Sequence, residues 1–151
     1  MHFNHDGRDA ADLGASLAND PPDTAVELRR RCEDRGLTFA RRVTRADLEE
    51  VQAFLRSWLA VADADQPQLR ADRLNVLLER YAAAPRLTDH AGDGWHLHFR
   101  GDDVTAAHQI AVIVAVGTAL HLTGRGMTRF GRCHEPHCTR VYVDTSRNGR
   151  Q

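Results

Sequence analysis

The residues whose type and spacing point most directly to chemistry are two thiols, in Cys133-His-Glu-Pro-His-Cys138, on a turn that leads into the β-branched and aromatic run Val141-Tyr-Val143. Thiolates are soft donors that bind zinc well, and a turn containing Pro136 can aim both sulfurs at one point. Structural zinc usually takes four ligands as two close pairs, so that one tetrahedral centre staples two pieces of backbone. The spacing alone leaves open two free thiols near a turn or an adventitious disulfide. His134 and His137 lie inside the same loop and could complete a site. Four ligands from one short loop would strain the tetrahedron, so partners from elsewhere are expected. No further cysteine follows before Gln151. The expectation is therefore half of a zinc site, in a fragment or in a natural truncation, with zinc bound weakly or not at all.

Arginine is the second chemical signal. From residue 125 onward six arginines stand against Glu135 and Asp144, a balance of +4, whereas residues 1–124 carry fourteen arginines against nineteen acids, or −5. Arg140, Arg147 and Arg150 surround Asn148-Gly149, a dipeptide suited to a tight turn. Clustered guanidinium groups can neutralise phosphates by bidentate hydrogen bonds, the usual start of nucleic-acid binding. The plainer alternative is a solvated turn with ordinary surface charge. All twenty basic residues are arginine, which with the abundant alanine and aspartate reflects a GC-rich, bacterial-like genome rather than a mechanism.

His96 and His98 fall two apart on an expected strand and so share one face, a workable metal geometry. They can equally decorate the polar face of a half-buried strand, since no carboxylate partner is placed by spacing. His121 reads as a satisfied core or interface residue, and Cys32 as a small buried hydrophobe. Gly-rich phosphate loops, a Gly-x-Ser-x-Gly elbow and a His-Glu-x-x-His pair are missing, and the adjacent acids Glu49-Glu50 and Asp102-Asp103 point in different directions on a helix. Catalysis is therefore not expected.

Several elements must position these groups. A chain of 151 residues that is 42% hydrophobic can bury one ordinary core, with at most a small appendage. Pro21-Pro22-Asp23 leads into a helix over 25–35, stopped by Gly36. Thr44 with Asp47 resembles a capping box, and Leu48, Val51, Leu55, Trp58, Leu59 and Ala62 recur on one helical face. Pro67 opens the next helix, which carries Leu74, Leu77, Leu78 and Tyr81 and ends before Pro85. Residues 86–100, with a Gly92-Asp-Gly94 turn and alternating Trp95-His-Leu-His-Phe99, read as a β-hairpin. Residues 104–123, capped by Asp103 or Thr105 and closed by Gly124, are apolar nearly all round, and their length favours a buried helix over a strand. The most apolar stretch, Ile110 to Leu122, falls short of the ~20 apolar residues that span a bilayer, and the amino terminus lacks the apolar region of a secretory signal, so a cytoplasmic protein without a membrane partner is expected.

Cys133-x4-Cys138 followed by Tyr142-Val-Asp144-Thr-Ser146-Arg147-Asn148-Gly149-Arg150 resembles the opening half of the CGNR zinc finger, in which a Cys pair, a hydrophobic turn and an Asp-x-Ser-Arg-Asn-Gly motif precede a second Cys pair. Upstream, Leu17-Ala-Asn19-Asp20, the Leu74 to Tyr81 helix and Gly94-Trp95-His-Leu-His-Phe99 are similar to ABATE, the helical domain that precedes this finger. The resemblance implies a stress-response transcription regulator, with Cys133 and Cys138 as zinc ligands and Arg147, Asn148 and Arg150 as the signature turn. The pattern's second Cys pair and its Cys-Gly-Asn-Arg segment do not occur here.

The expected fold is thus mainly α: about five helices with one small β-hairpin over 1–124, then, over 125–151, the start of a zinc-ribbon-like or treble-clef-like hairpin. The expected function is DNA binding through a basic tail, with the helical domain receiving a signal or forming a homodimer. The alternative is a small-molecule-binding or dimerisation module without nucleic-acid contact, its apolar pocket lined by Trp58, Trp95, Phe99 and His108.

Overall fold

The computed structural model describes residues 7–89 and 94–146, and within them the chain is mainly helical, with five helices and two antiparallel hairpins. Helix α1 (Arg8–Asn19) is followed by α2 (Ala25–Glu33), α3 (Arg45–Ala62), α4 (Pro67–Tyr81), strands β1 (Arg86–Thr88) and β2 (His96–His98), α5 (Ala106–Arg125), and strands β3 (Phe130–Arg132) and β4 (Val141–Val143). The first hairpin pairs Leu87 with Leu97, and its connecting turn at 90–93 lies outside the described residues. The second pairs Gly131 with Tyr142.

The centre is α5. At 20 residues it is long and apolar enough to cross a membrane, yet most of its surface is buried by the chain's own α1, α3 and α4. Val112, Val114, Ala115 and Thr118 are almost completely enclosed. Thr105 caps its start by accepting from the His108 N–H, and Gly126, at φ 111°, ends it slightly later than Gly124 would suggest. Asp47 ties two helix starts together. Its carboxylate completes the capping box with Thr44 and also accepts the Ala107 N–H at 3.1 Å, satisfying an otherwise orphaned donor of α5. Burial works to raise this carboxyl, but the Thr44 side-chain and backbone donors, with Ala107 and Ala106, outweigh it and hold the group below the ordinary aspartate range.

Helix α1 carries its buried face on small residues, Ala10, Ala11, Gly14 and Ala15 beside Leu13 and Leu17. These let it approach α5 closely. A methyl group on Gly117 would lie 2.4 Å from the Ala10 Cβ, and one on Gly14 would lie 2.5 Å from the Val114 side chain. From α3, Trp58 enters the same space, donating its indole N–H to the Thr118 hydroxyl at 2.9 Å, while Thr118 in turn donates to the Val114 carbonyl at 2.7 Å.

The β1–β2 hairpin is turned opposite to its alternation. Leu87, Trp95 and Leu97 face outward, whereas His96 and His98 are half-buried. A two-stranded ribbon has no fixed inner side of its own, so its neighbours decide which face is covered.

Candidate metal centre and zinc-finger hairpin

The second hairpin is docked into the helical core. Phe130 of β3 is fully buried with its ring centroid 4.5 Å from that of Trp58, and Val141 of β4 is 4% exposed. Within the ladder, Cys133 N–H donates to the Arg140 carbonyl and Asp144 N–H to the Arg129 carbonyl, at 2.9 and 2.8 Å. This register turns the N–H and C=O of Val141 to the outer edge. There the Asn19 carboxamide takes both, accepting from the Val141 N–H and donating to its carbonyl, each at 2.8 Å. Asn19, the last residue of α1, thus substitutes for a neighbouring strand.

Three arginines hold the remaining sides. Arg132 places two nitrogens on the Asp63 carboxylate, at 2.6 and 3.3 Å, and donates to the Thr139 carbonyl at 2.6 Å. Arg129 pairs with Asp144 at 2.7 Å, both groups being largely covered. Arg70 donates to the carbonyls of Ala64 and Met127, bridging the end of α3 to the segment after α5. Asp144 also accepts the Ser146 N–H at 2.8 Å. The Ser146 hydroxyl and N–H, together with the Arg129 guanidinium, outweigh desolvation and keep this carboxyl below its ordinary range. His121, fully buried on α5, lies 3.2 Å through Nε2 from the Arg129 carbonyl, which agrees with its reading as a core residue.

Between the strands, Glu135-Pro136-His137-Cys138 forms a turn closed by Cys138 N–H donating to the Glu135 carbonyl at 3.0 Å. Pro136 occupies the position that suits its fixed φ, and His137 adopts φ 69°, a left-handed conformation usually reserved for glycine. The turn reverses the chain between the two thiol-bearing residues. The neighbouring Arg140 backbone amide and then the Cys133 thiol favour the Cys138 thiolate, drawing the group below the ordinary thiol range. Both sulfur-bearing residues are half-buried, and neither is in a disulfide. A groove of about 500 Å³ beside them is lined by Cys133, His134, Glu135, Tyr142, Asp144 and Ser146.

Two soft donors flanking one turn suit zinc, and Cys133 with Cys138 would hold two of its four positions. Among the described residues no group of three or more His, Cys, Asp or Glu gathers for a metal, so the site is not complete there. His134 and His137 are exposed, and the His134 ring lies 6.5 Å from that of Tyr142. Arg140 is exposed, while Arg147, Asn148 and Arg150 lie outside the described residues.

The expected apolar pocket residues are dispersed. Trp58 is core, 0% exposed, and Trp95 is 75% exposed. Phe99 packs against the core edge, and His108 meets Tyr81 edge-on at 5.7 Å. The spacing of Trp58 fits a core position and a pocket position equally well. Sequence reasoning misses Asn19, Asp63 and Arg129 as site residues, because their partners lie 122, 69 and 15 residues away along the chain.

Fold and site together define a mainly helical protein carrying a docked hairpin in which a thiol-bearing turn joins two short strands. Residues 129–151 match the family model of the CGNR zinc finger, which covers β3, the thiol turn, β4 and the Asp144-x-Ser146 turn. The likeness to the CGNR zinc finger is confined to this C-terminal segment. A search of curated proteins finds none that matches the chain.

Proposed function

We propose that the protein is a cytoplasmic, non-enzymatic DNA-binding transcription regulator, in which residues 1–124 form an ABATE-like signal-receiving domain and residues 125–151 open a CGNR finger. In this reading Cys133 and Cys138 supply two zinc ligands, and Arg140, Arg147, Asn148 and Arg150 face the DNA backbone. The observation that carries it is the pair of half-buried, unbridged thiols flanking one turn inside the matched segment. Zinc bound there would fix the turn by coordination. The chain's own residues do the rest: Asn19, Arg129 and Arg132 orient the hairpin, leaving Arg140 exposed at its tip.

The test is fluorescence anisotropy with duplex DNA across a salt series, using zinc-loaded full-length gene product. Arg147→Ala with Arg150→Ala should weaken binding and flatten the plot of log affinity against log salt by about one unit for each phosphate no longer neutralised. Unchanged affinity and slope would reject the role given to these arginines. A second reading, a dimerisation or small-molecule module, has the outward face of Leu87, Trp95 and Leu97 in its favour. Sedimentation that shows a dimer, dissociated by Trp95→Ser, together with no DNA affinity, would select it.

A further inference from the structure

The half-buried face of the β1–β2 hairpin holds an arrangement that the finger reading does not use. His96 and His98 lie two apart on β2, on the same side of the ribbon, with ring centroids 4.9 Å apart. Their Nε2 atoms approach to 3.1 Å, so both nitrogens point at one another. The tautomer of His96 follows from its other nitrogen. Nδ1 lies 2.8 Å from the Gly94 carbonyl, and a carbonyl can only accept, so Nδ1 carries the proton and Nε2 presents a lone pair. A backbone carbonyl on the remote nitrogen is the arrangement that commonly fixes and strengthens a metal-binding imidazole.

The bite fits a metal ion. With metal–nitrogen distances of about 2.0–2.1 Å, two nitrogens separated by 3.1 Å subtend roughly 95–100° at the metal. That angle falls between the right angle of square-planar or octahedral sites and the tetrahedral value. The nearby cation Arg86 is faced by Asp102 at 3.3 Å, whose charge also acts on Arg100.

We propose that His96 and His98 form a bidentate site for a late first-row divalent metal ion of the nickel, copper or zinc type, separate from the thiol centre. The metal takes the place of the proton between the two nitrogens, and the proton held on His98 Nε2 in the metal-free form passes to its Nδ1 or to solvent. Imidazole suits these ions, and affinity follows the order in which copper exceeds nickel and zinc. No third His, Cys, Asp or Glu joins the pair among the described residues, which leaves room there for water or a small ligand. His98 also lines a cavity of about 350 Å³ with Arg41, Arg100 and Gln109, which gives such a ligand a place to enter.

Titration with Ni(II), which the thiols do not reduce, is followed by calorimetry on the unsubstituted chain and on its C133S/C138S, H96A and H98A variants. One Ni(II) site should survive loss of both thiols, and its affinity should fall at least tenfold in either histidine variant. Binding that vanishes with the thiols, or that persists unchanged in both folded histidine variants, would overturn the proposal. If the histidine variants do not fold, ¹⁵N imidazole spectra of the unsubstituted protein decide the matter. The Nε2 signals of His96 and His98 should move on adding Zn(II), and their constancy at saturating metal would refute the site whatever the finger binds.

Discussion

Asn19→Ala should loosen the zinc-finger hairpin from the helices, and the size of the effect can be worked from the structure. The substitution removes two neutral hydrogen bonds of 2.8 Å, each contributing about 1 kcal/mol net, and leaves the Val141 N–H and carbonyl facing a space that the side chain had filled. Val141 is 4% exposed, so water can replace the missing partners only if the strand moves. An unsatisfied buried group costs about 1–3 kcal/mol, and partial relaxation puts the total at about 2–4 kcal/mol. Undocking would also uncover Phe130 against Trp58, which makes the loss cooperative with the core rather than confined to the hairpin. Asn19→Asp sharpens the test. Its ionised carboxylate can still accept the Val141 N–H but faces the Val141 carbonyl without a proton to give, whereas the protonated form can donate. The folded state therefore favours the protonated acid, so the stability it contributes is present at low pH and lost as pH rises through the carboxyl range. Urea unfolding gives the total, and NMR hydrogen exchange at the Val141 amide gives the local effect. Unchanged exchange at Val141 in Asn19→Ala, with an unchanged urea midpoint, would refute the view that this carboxamide acts as a strand.

Three further outcomes follow from the core. Asp47→Ala should cost about 2–4 kcal/mol, by losing an N-cap partner and leaving the Ala107 N–H of α5 unsatisfied; because the native carboxyl is held low, its contribution should be present above about pH 4 and fade as pH falls, so acid unfolding curves of the variant should be flatter than those of the parent. Gly117→Ala gains helix propensity of about 1 kcal/mol but drives a methyl group to 2.4 Å from the Ala10 Cβ, so calorimetry should register a net loss of about 1–3 kcal/mol; a raised melting temperature would mean that α1 and α5 are not packed this closely. Burial pushes the Cys32 thiol from 9.0 up to about 12, which makes the protonated form a folded-state preference, so stability should fall by about 1.4 kcal/mol per pH unit once the unfolded thiol ionises above about pH 9, a slope that Cys32→Ala should remove from urea midpoints measured against pH.

Local signals in the chain carry the long helices, because a capping box, a first-turn proline and an apolar stripe each act within a few residues. Thr44 with Asp47, Pro67 and the uninterrupted run ending at Leu122 all mark elements found in the structure. Helix α1 gives no comparable signal. Its buried face is built of alanine and glycine, whose value lies in close approach to α5 rather than in their own hydrophobicity, and that value exists only once Gly117 and Val114 are opposite. The first hairpin is legible as a hairpin, but which face it hides depends on neighbours, and Leu97 and His98 exchange the sides their polarity suggests. Of the thiol turn, the residues that form it are contiguous and readable, whereas the groups that fix it to the protein are not.

That difference changes how the tail's charge should be understood. Read as composition, the arginines after residue 124 form one basic cluster. In the structure Arg132 is held by Asp63 and Arg129 by Asp144, so two of them maintain the hairpin's attachment and their charge is locally neutralised, while Arg140 remains exposed beside the thiols. The attachment runs through Asn19 of α1 and through Phe130 against Trp58 of α3, and both helices pack on α5. A shift of α1 against α5 would therefore be felt at Val141, close to Cys138 along the chain, without crossing any flexible connection. If the helical part receives a signal, this edge of β4 is where it reaches the thiol turn, and weakening the Asn19 link should uncouple the two while leaving both thiols in place.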